Sequence, residues 1–167
     1  MQGTPGTVRA ERTLRVALWG SAAFGVLHLL ALPMMMTFDG AEYARLARSF
    51  GGSFFAEWDY GRTPLYPLCL RLSFWTLGLQ PLGAMAPNVL FAGFGIWATS
   101  RVVDSAAGPR AALAGVVGLT LYPTFIVYQH SILTEVSSFL MLALLVLALA
   151  WQPSVVTRKT AALVTCL

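Results

Sequence analysis

Two carboxylates flank the places where an otherwise apolar chain meets water: Asp39, at the end of a long apolar run, and Glu135, at the start of another. An acid near the end of a membrane helix usually faces the protein interior or a water-filled cavity and has a partner there. No further charge follows Glu135 until Arg158, and Gln129 and His130 stand just before it. Two carboxylates converging on one face supply a general base and a second group that positions it or binds a cation. Arg62, in the run GRTPLYP, adds a guanidinium suited to clamping a phosphate. Asp39 and Glu135 are therefore the candidate catalytic residues, and Arg62, Tyr66, Tyr43 and His130 the candidate substrate-binding residues.

Each of these has a plainer reading beside the chemical one. Asp39 opens DGAEYARLARSF, in which Tyr43, Leu46, Ala47 and Phe50 recur at helical spacing, so an amphipathic helix lying on the membrane is expected. Asp39 is then an N-cap worth ~1 kcal/mol, with Glu42 three residues on completing a capping box. Cap and base are compatible roles. Glu135 at a helix N-terminus is favoured by the macrodipole. His130 reads as an interfacial hydrogen-bonding histidine, and Arg62 as a headgroup contact.

The elements that must position these residues follow from composition. Hydrophobic residues make up 57% of the chain and charged residues 11%, with mean hydropathy +0.69. One soluble core cannot hide that much apolar surface, so an all-α integral membrane protein is expected. The net charge of +4 is spread over the ends of apolar runs and forms no stripe, which argues against nucleic acid. Cys69 and Cys166 lie far apart in apolar surroundings and give no support to a disulfide or a thiolate metal site.

In chain order, residues 1–13 read as a disordered cytoplasmic tail, and spans are expected at about 14–36, 86–103, 111–128 and 132–151. An apolar run at 160–167 is too short to cross, so it reads as the start of a fifth span of a larger polytopic protein. The long loop 37–85 between the first two spans holds Asp39, Glu42, Glu57 and Asp59, four of the 7 acids. Residues 64–79 are expected as an interfacial helix, with Pro64 in its first turn, Arg71 snorkelling, and Tyr66, Phe74 and Trp75 in the interface belt. Counting them as non-spanning puts Arg9, Arg12, Arg15, Arg101, Arg110, Arg158 and Lys159 on one face with only Glu11 and Asp104 opposing. By the positive-inside rule that face is cytoplasmic, and loop 37–85 lies outside.

Taken together, the F-D-G-x-x-Y at Phe38–Tyr43, the Arg-x-Pro-Leu-Tyr-Pro at Arg62–Pro67, the basic turn at Arg101–Arg110 and the L-Y-P…H-S-x-L-T-E ending at Glu135 resemble the N-terminal third of a GT-C glycosyltransferase. The resemblance is to the polyprenyl-phosphate-sugar-dependent branch that includes protein O-mannosyltransferases and lipid A aminoarabinose transferases. It implies inverting transfer of a sugar from a polyprenyl-phosphate donor to a glycan, lipid or protein acceptor, in a multi-pass protein of the bacterial plasma membrane. Asp39 matches the acid of the family's first extracytoplasmic loop, Glu135 the acid of the second, and Arg62 the basic residue before paired prolines. Thr63 stands in place of the first proline, and Gly40 where the mannosyltransferases tend to have a second acid. No cofactor is required for a phosphate leaving group, and a divalent cation between Asp39 and Glu135 stays open. The alternative reading is a non-catalytic polytopic module that binds lipid or a partner protein. Transport has the least support, because Pro123 interrupts one span without a paired counterpart.

Overall fold

A computed structural model of the chain describes residues 5–35, 37–49, 64–78, 81–132 and 134–151. Their regular structure is helical: α1 (Pro5–Ala31), α2 (Phe38–Ser49), α3 (Leu65–Leu77), α4 (Pro81–Ala107), α5 (Pro109–Leu121), α6 (Pro123–Gln129) and α7 (Glu135–Ala150). Four of the seven open on proline, whose missing N–H costs nothing at the first helical position and whose φ is already helical. Two end on glycines at φ +84°, Gly78 after α3 and Gly108 after α4, a conformation that a Cβ resists. α1 stops at Ala31 because Pro33 biases the residue before it away from the helical region.

Segment Ala10–Ala31 of α1 and the whole of α4 are long and apolar enough to cross a membrane, and α5 and α6 qualify only as a pair bent by 60°. Two or three candidate spans make this a membrane protein, fewer than the four expected among the described residues. The span expected at 111–128 is broken because Pro123 cannot donate to the carbonyl four residues back. That carbonyl, of Leu119, accepts the Tyr122 N–H at 3.4 Å instead, while Tyr122 itself turns extended. α7 has 16 residues, about 24 Å, short of the ~30 Å hydrocarbon thickness. The chain is also helical earlier than expected, from Pro5, where a disordered tail was read to Thr13. α4 likewise begins at Pro81, inside the stretch assigned to the loop.

Helix α4 is the centre of the array and packs against α1, α3, α5, α6 and α7. Lipid gives helices no hydrophobic incentive to associate, so close packing of small residues does the work. Gly95 faces the Phe139 ring of α7, and Ala98 packs with Ala143 and Leu147. On the other side of α4, Ala92 and Ile96 meet Leu14, Ala112, Val116 and Phe125. A separate cluster joins α2 and α3 through Tyr43, Ala47, Tyr66, Leu70 and Phe74, with Ile132 in it. The apolar face of α2 is thus buried on α3, and Tyr66 and Phe74, expected in the interface belt, are core residues. Outside, Trp19, Phe38 and Trp75 are 78, 89 and 80% exposed, as suits surroundings of lipid.

Pro87 lies inside α4 and deprives the Gly83 carbonyl of its helical donor. The buried Ser73 hydroxyl of α3 donates to that carbonyl at 2.6 Å, so the defect in α4 becomes the joint with α3. Ser73→Ala should therefore cost about 1–3 kcal/mol, the penalty of a buried unpaired acceptor. Thermal unfolding in detergent checks this, and Pro87→Ala, which restores the N–H, should make Ser73→Ala nearly neutral in the double variant. Purely additive losses would contradict the assignment.

Candidate functional site

The link between α6 and α7 is non-helical backbone packed among helices, and its buried polar groups need partners within the protein. Asn88 of α4, 0% exposed, supplies them. Its amide nitrogen donates to the Ser131 carbonyl and, at 3.3 Å, to the Tyr128 carbonyl, while its oxygen accepts the Tyr66 hydroxyl at 3.0 Å. Ser131 Oγ donates to the Val127 carbonyl at 3.0 Å. The exit of α1 is attached to the same link, since Met35 N–H donates to the His130 carbonyl at 2.8 Å in a parallel bridge of Met35 with Ser131. One turn into α2, Gly40 presses on Ile132, whose carbonyl would stand 3.0 Å from an added Cβ.

These contacts decide where the candidate acids lie. Asp39 is exposed in the first turn of α2, and Glu135 is exposed as the first residue of α7. Asp39 adjoins Gly40, and Glu135 follows Ile132 by three residues, so both stand at the end of the array held by the Met35–His130 bond. Asp39 is not the helix cap. Thr37 Oγ1 accepts the Gly40 N–H at 2.9 Å and the Thr37 carbonyl accepts the Ala41 N–H at 3.0 Å, which makes Thr37 the N-cap and Asp39 a residue of the first turn. Glu42 pairs with Arg45, at 2.6 and 3.0 Å, one turn along the same helix face.

Tyr43 and Tyr66 meet edge to face, with ring centroids 5.2 Å apart, inside the α2–α3 interface. They brace α2, the helix of Asp39, on α3. Arg62, Glu57 and Asp59 lie outside the described residues. Among the described residues no group of three or more His, Cys, Asp or Glu side chains gathers as a metal set. A cation at Asp39 and Glu135 would take the rest of its shell from water or substrate oxygens.

His130 is 3% exposed, deeper than an interfacial histidine, and its partner is a residue the sequence reading passed over. His28 of α1 brings Nδ1 to 2.5 Å from His130 Nε2, with Gln129 beside it and Phe24 edge-on at 5.1 Å. At that separation one nitrogen carries the proton and the other accepts it. An ionisable residue within a membrane span is by default of interest, which is the signal that would have drawn attention to His28. His130 Nδ1 is buried without a hydrogen bond, although the Pro33 carbonyl lies close to the ring.

Next to this pair, α1 and α4 diverge around a groove of about 690 Å³. Its walls are apolar, among them Leu18, Trp19, Val89 and Phe94, with Arg15 at one end and His28 and Gln129 at the other. No family model, no curated protein and no solved structure matches the chain.

Burial pushes His130 below the ordinary histidine value, and the Pro33 carbonyl opposes this only in part. The unfolded chain therefore binds more protons than the folded one just below pH ~6.5, and stability rises with pH through that window. The thermal midpoint in detergent should fall between about pH 7.5 and about pH 5.5, and His130→Gln should flatten the dependence. An unchanged midpoint in the wild type over this range would contradict the neutral, buried state of His130.

Proposed function

We propose that this chain forms part of the transmembrane domain of a GT-C-type glycosyltransferase, which moves a sugar from a polyprenyl-phosphate donor to an acceptor hydroxyl outside the cytoplasm. The observation that carries this reading is the attachment of the α1 exit to the α6–α7 link, by Met35 on His130 and Gly40 on Ile132. That attachment brings the exposed Asp39 and the exposed Glu135 to one end of the helices, beside the α2–α3 layer. The motif resemblance of Phe38–Glu135 to the family assigns roles to the same two acids. The basic residues around Arg15, Arg101 and Arg110 support an N-terminus in the cytoplasm, and the family resemblance implies a bacterial plasma membrane.

In this mechanism Asp39 takes the proton from the acceptor hydroxyl as its oxygen bonds to the anomeric carbon. The bond from that carbon to the phosphate oxygen breaks with its electron pair, leaving polyprenyl phosphate and inverted configuration at the sugar. Glu135 positions Asp39 or shares a cation with it, and Arg62 stabilises charge on the departing phosphate. Acceptors of all three kinds, glycan, lipid and protein, offer the required hydroxyl. The second reading, a non-catalytic module that binds lipid, draws on the apolar groove between α1 and α4.

Because Thr37 caps α2, replacing Asp39 tests chemistry without disturbing the helix. Asp39→Asn should leave the thermal midpoint unchanged and lower sugar transfer by ~10²–10⁴-fold, the contribution of a positioned base. The assay is transfer from a polyprenyl-phosphate sugar by the protein in nanodiscs, with Arg62→Lys as the companion that weakens donor binding by losing the bidentate fork. Near-normal transfer by Asp39→Asn removes Asp39 from the mechanism and favours the non-catalytic reading.

A further inference from the structure

We propose that the groove between α1 and α4 binds one anionic phospholipid, its phosphate on Arg15 and one acyl chain laid along the groove toward His28. The site is separate from the acids of the α2 and α7 termini, and it stands whether or not the chain transfers a sugar.

Size and surroundings favour an acyl chain. The groove holds about 690 Å³ and is walled by the two helices that are long and apolar enough to cross a membrane by themselves. It therefore opens sideways into hydrocarbon, past exposed Val26, Leu90 and Phe94. The cavity is unfilled by the protein: a Cβ added at Gly93, which lines it, would find nothing within 4 Å. Arg15 and His28 stand thirteen residues apart on one helix, which is ~20 Å of rise. Half of a bilayer's hydrocarbon is ~15 Å deep. A chain that starts at Arg15 thus has a largely apolar path past the midplane, interrupted only by the mutually bonded Ser21 and Thr120.

The ends of the groove set the direction of the lipid. α1 and α4 run antiparallel, since a Cβ added at Gly25 would stand 3.3 Å from Val89 while Leu14 lies in one core cluster with Ile96. Trp19 and Trp97 consequently share one end with Arg15, and two indoles with a guanidinium are the side chains that settle at headgroup depth. Arg12 lies one turn before Arg15 on the same helix face, and Arg101 one turn beyond Trp97 on α4, all three exposed. The acids nearest in sequence are Glu11 and Asp104, and Arg15 makes an ion pair with neither among the described residues. The opposite end offers only His28 and Gln129, with no permanent charge for a phosphate. Charge complementarity places the phosphate at Arg15, where a guanidinium binds two of its oxygens.

The test is lipid binding to the purified, delipidated protein, read by native mass spectrometry with dipalmitoyl phosphatidylglycerol against dipalmitoyl phosphatidylcholine. Wild type should retain one phosphatidylglycerol at least tenfold more strongly than phosphatidylcholine. Arg15→Gln should bring the two lipids to parity. Gly93→Phe, which places a ring in the unfilled space, should lose both, and Ala22→Phe gives an independent block from the α1 side. Helicity by circular dichroism shows that each variant is folded, and either block alone suffices. Equal retention of the two headgroups by wild type, or undiminished binding in the folded blocking variants, overturns the proposal. So does a wild-type protein that takes up no lipid because a second copy, or the apolar residues 160–167, already lies in the groove.

Discussion

Buried backbone that leaves a helix must find its hydrogen bonds within the protein, and in this chain that constraint falls on the link between α6 and α7. Asn88 meets it with a single side chain. Its amide donates to the Tyr128 and Ser131 carbonyls, and its oxygen takes the Tyr66 hydroxyl, so α3, α4 and the link are tied at one point. The Met35–His130 bond then ties the exit of α1 to the same place. Each group left unpaired there would cost about 1–3 kcal/mol, and the three connections through Asn88 are lost together if it is removed.

The same logic recurs at the prolines. Pro87 and Pro123 each strip a carbonyl of its helical donor, and each carbonyl is recovered locally, by Ser73 for Gly83 and by Tyr122 for Leu119. The first repair joins α3 to α4. The second makes the 60° bend that delivers His130 and Ser131 to Met35 and Asn88. Thr120 and Ser21 show a milder version at 2.7 Å: Thr120 donates to the Val116 carbonyl, so its oxygen accepts from Ser21, linking α5 to α1. Polar contacts specify which helices meet, while Gly95, Ala98 and Ala112 let them come close.

Much of this was legible in the residues. The helical spacing of Tyr43, Leu46 and Ala47 gave α2, and the apolar stretch expected from Pro64 became α3 at Leu65–Leu77. Composition announced a helical membrane protein. Local chemistry was read less well where two residues compete for one task. Thr37 and Asp39 both suit a cap, and only the position of the first turn decides that Thr37 takes it. Glu42 fits a capping box as well as an i,i+3 pair, and it pairs with Arg45. Apolar runs such as 111–128 have the length of a span, yet Pro123 bends the helix, because hydropathy averages over a break that one missing N–H creates. The His28–His130 contact joins residues far apart in sequence and depends on that bend. Asn88 and His28, polar residues within apolar runs, were the available signals, since such residues in a membrane carry a partner or a function.

The central claim is that the Asn88 and Met35 connections hold the start of α2 and the start of α7 at one end of the array, so that Asp39 and Glu135 share a site. The most direct measurement is an electron–electron dipolar distance between spin labels at Asp39→Cys and Glu135→Cys in nanodiscs, with Cys69 and Cys166 replaced by serine. The account predicts a single population at or below about two helix diameters, ~20 Å. A population centred well beyond that distance, or one spread broadly across the length of the helices, would contradict it.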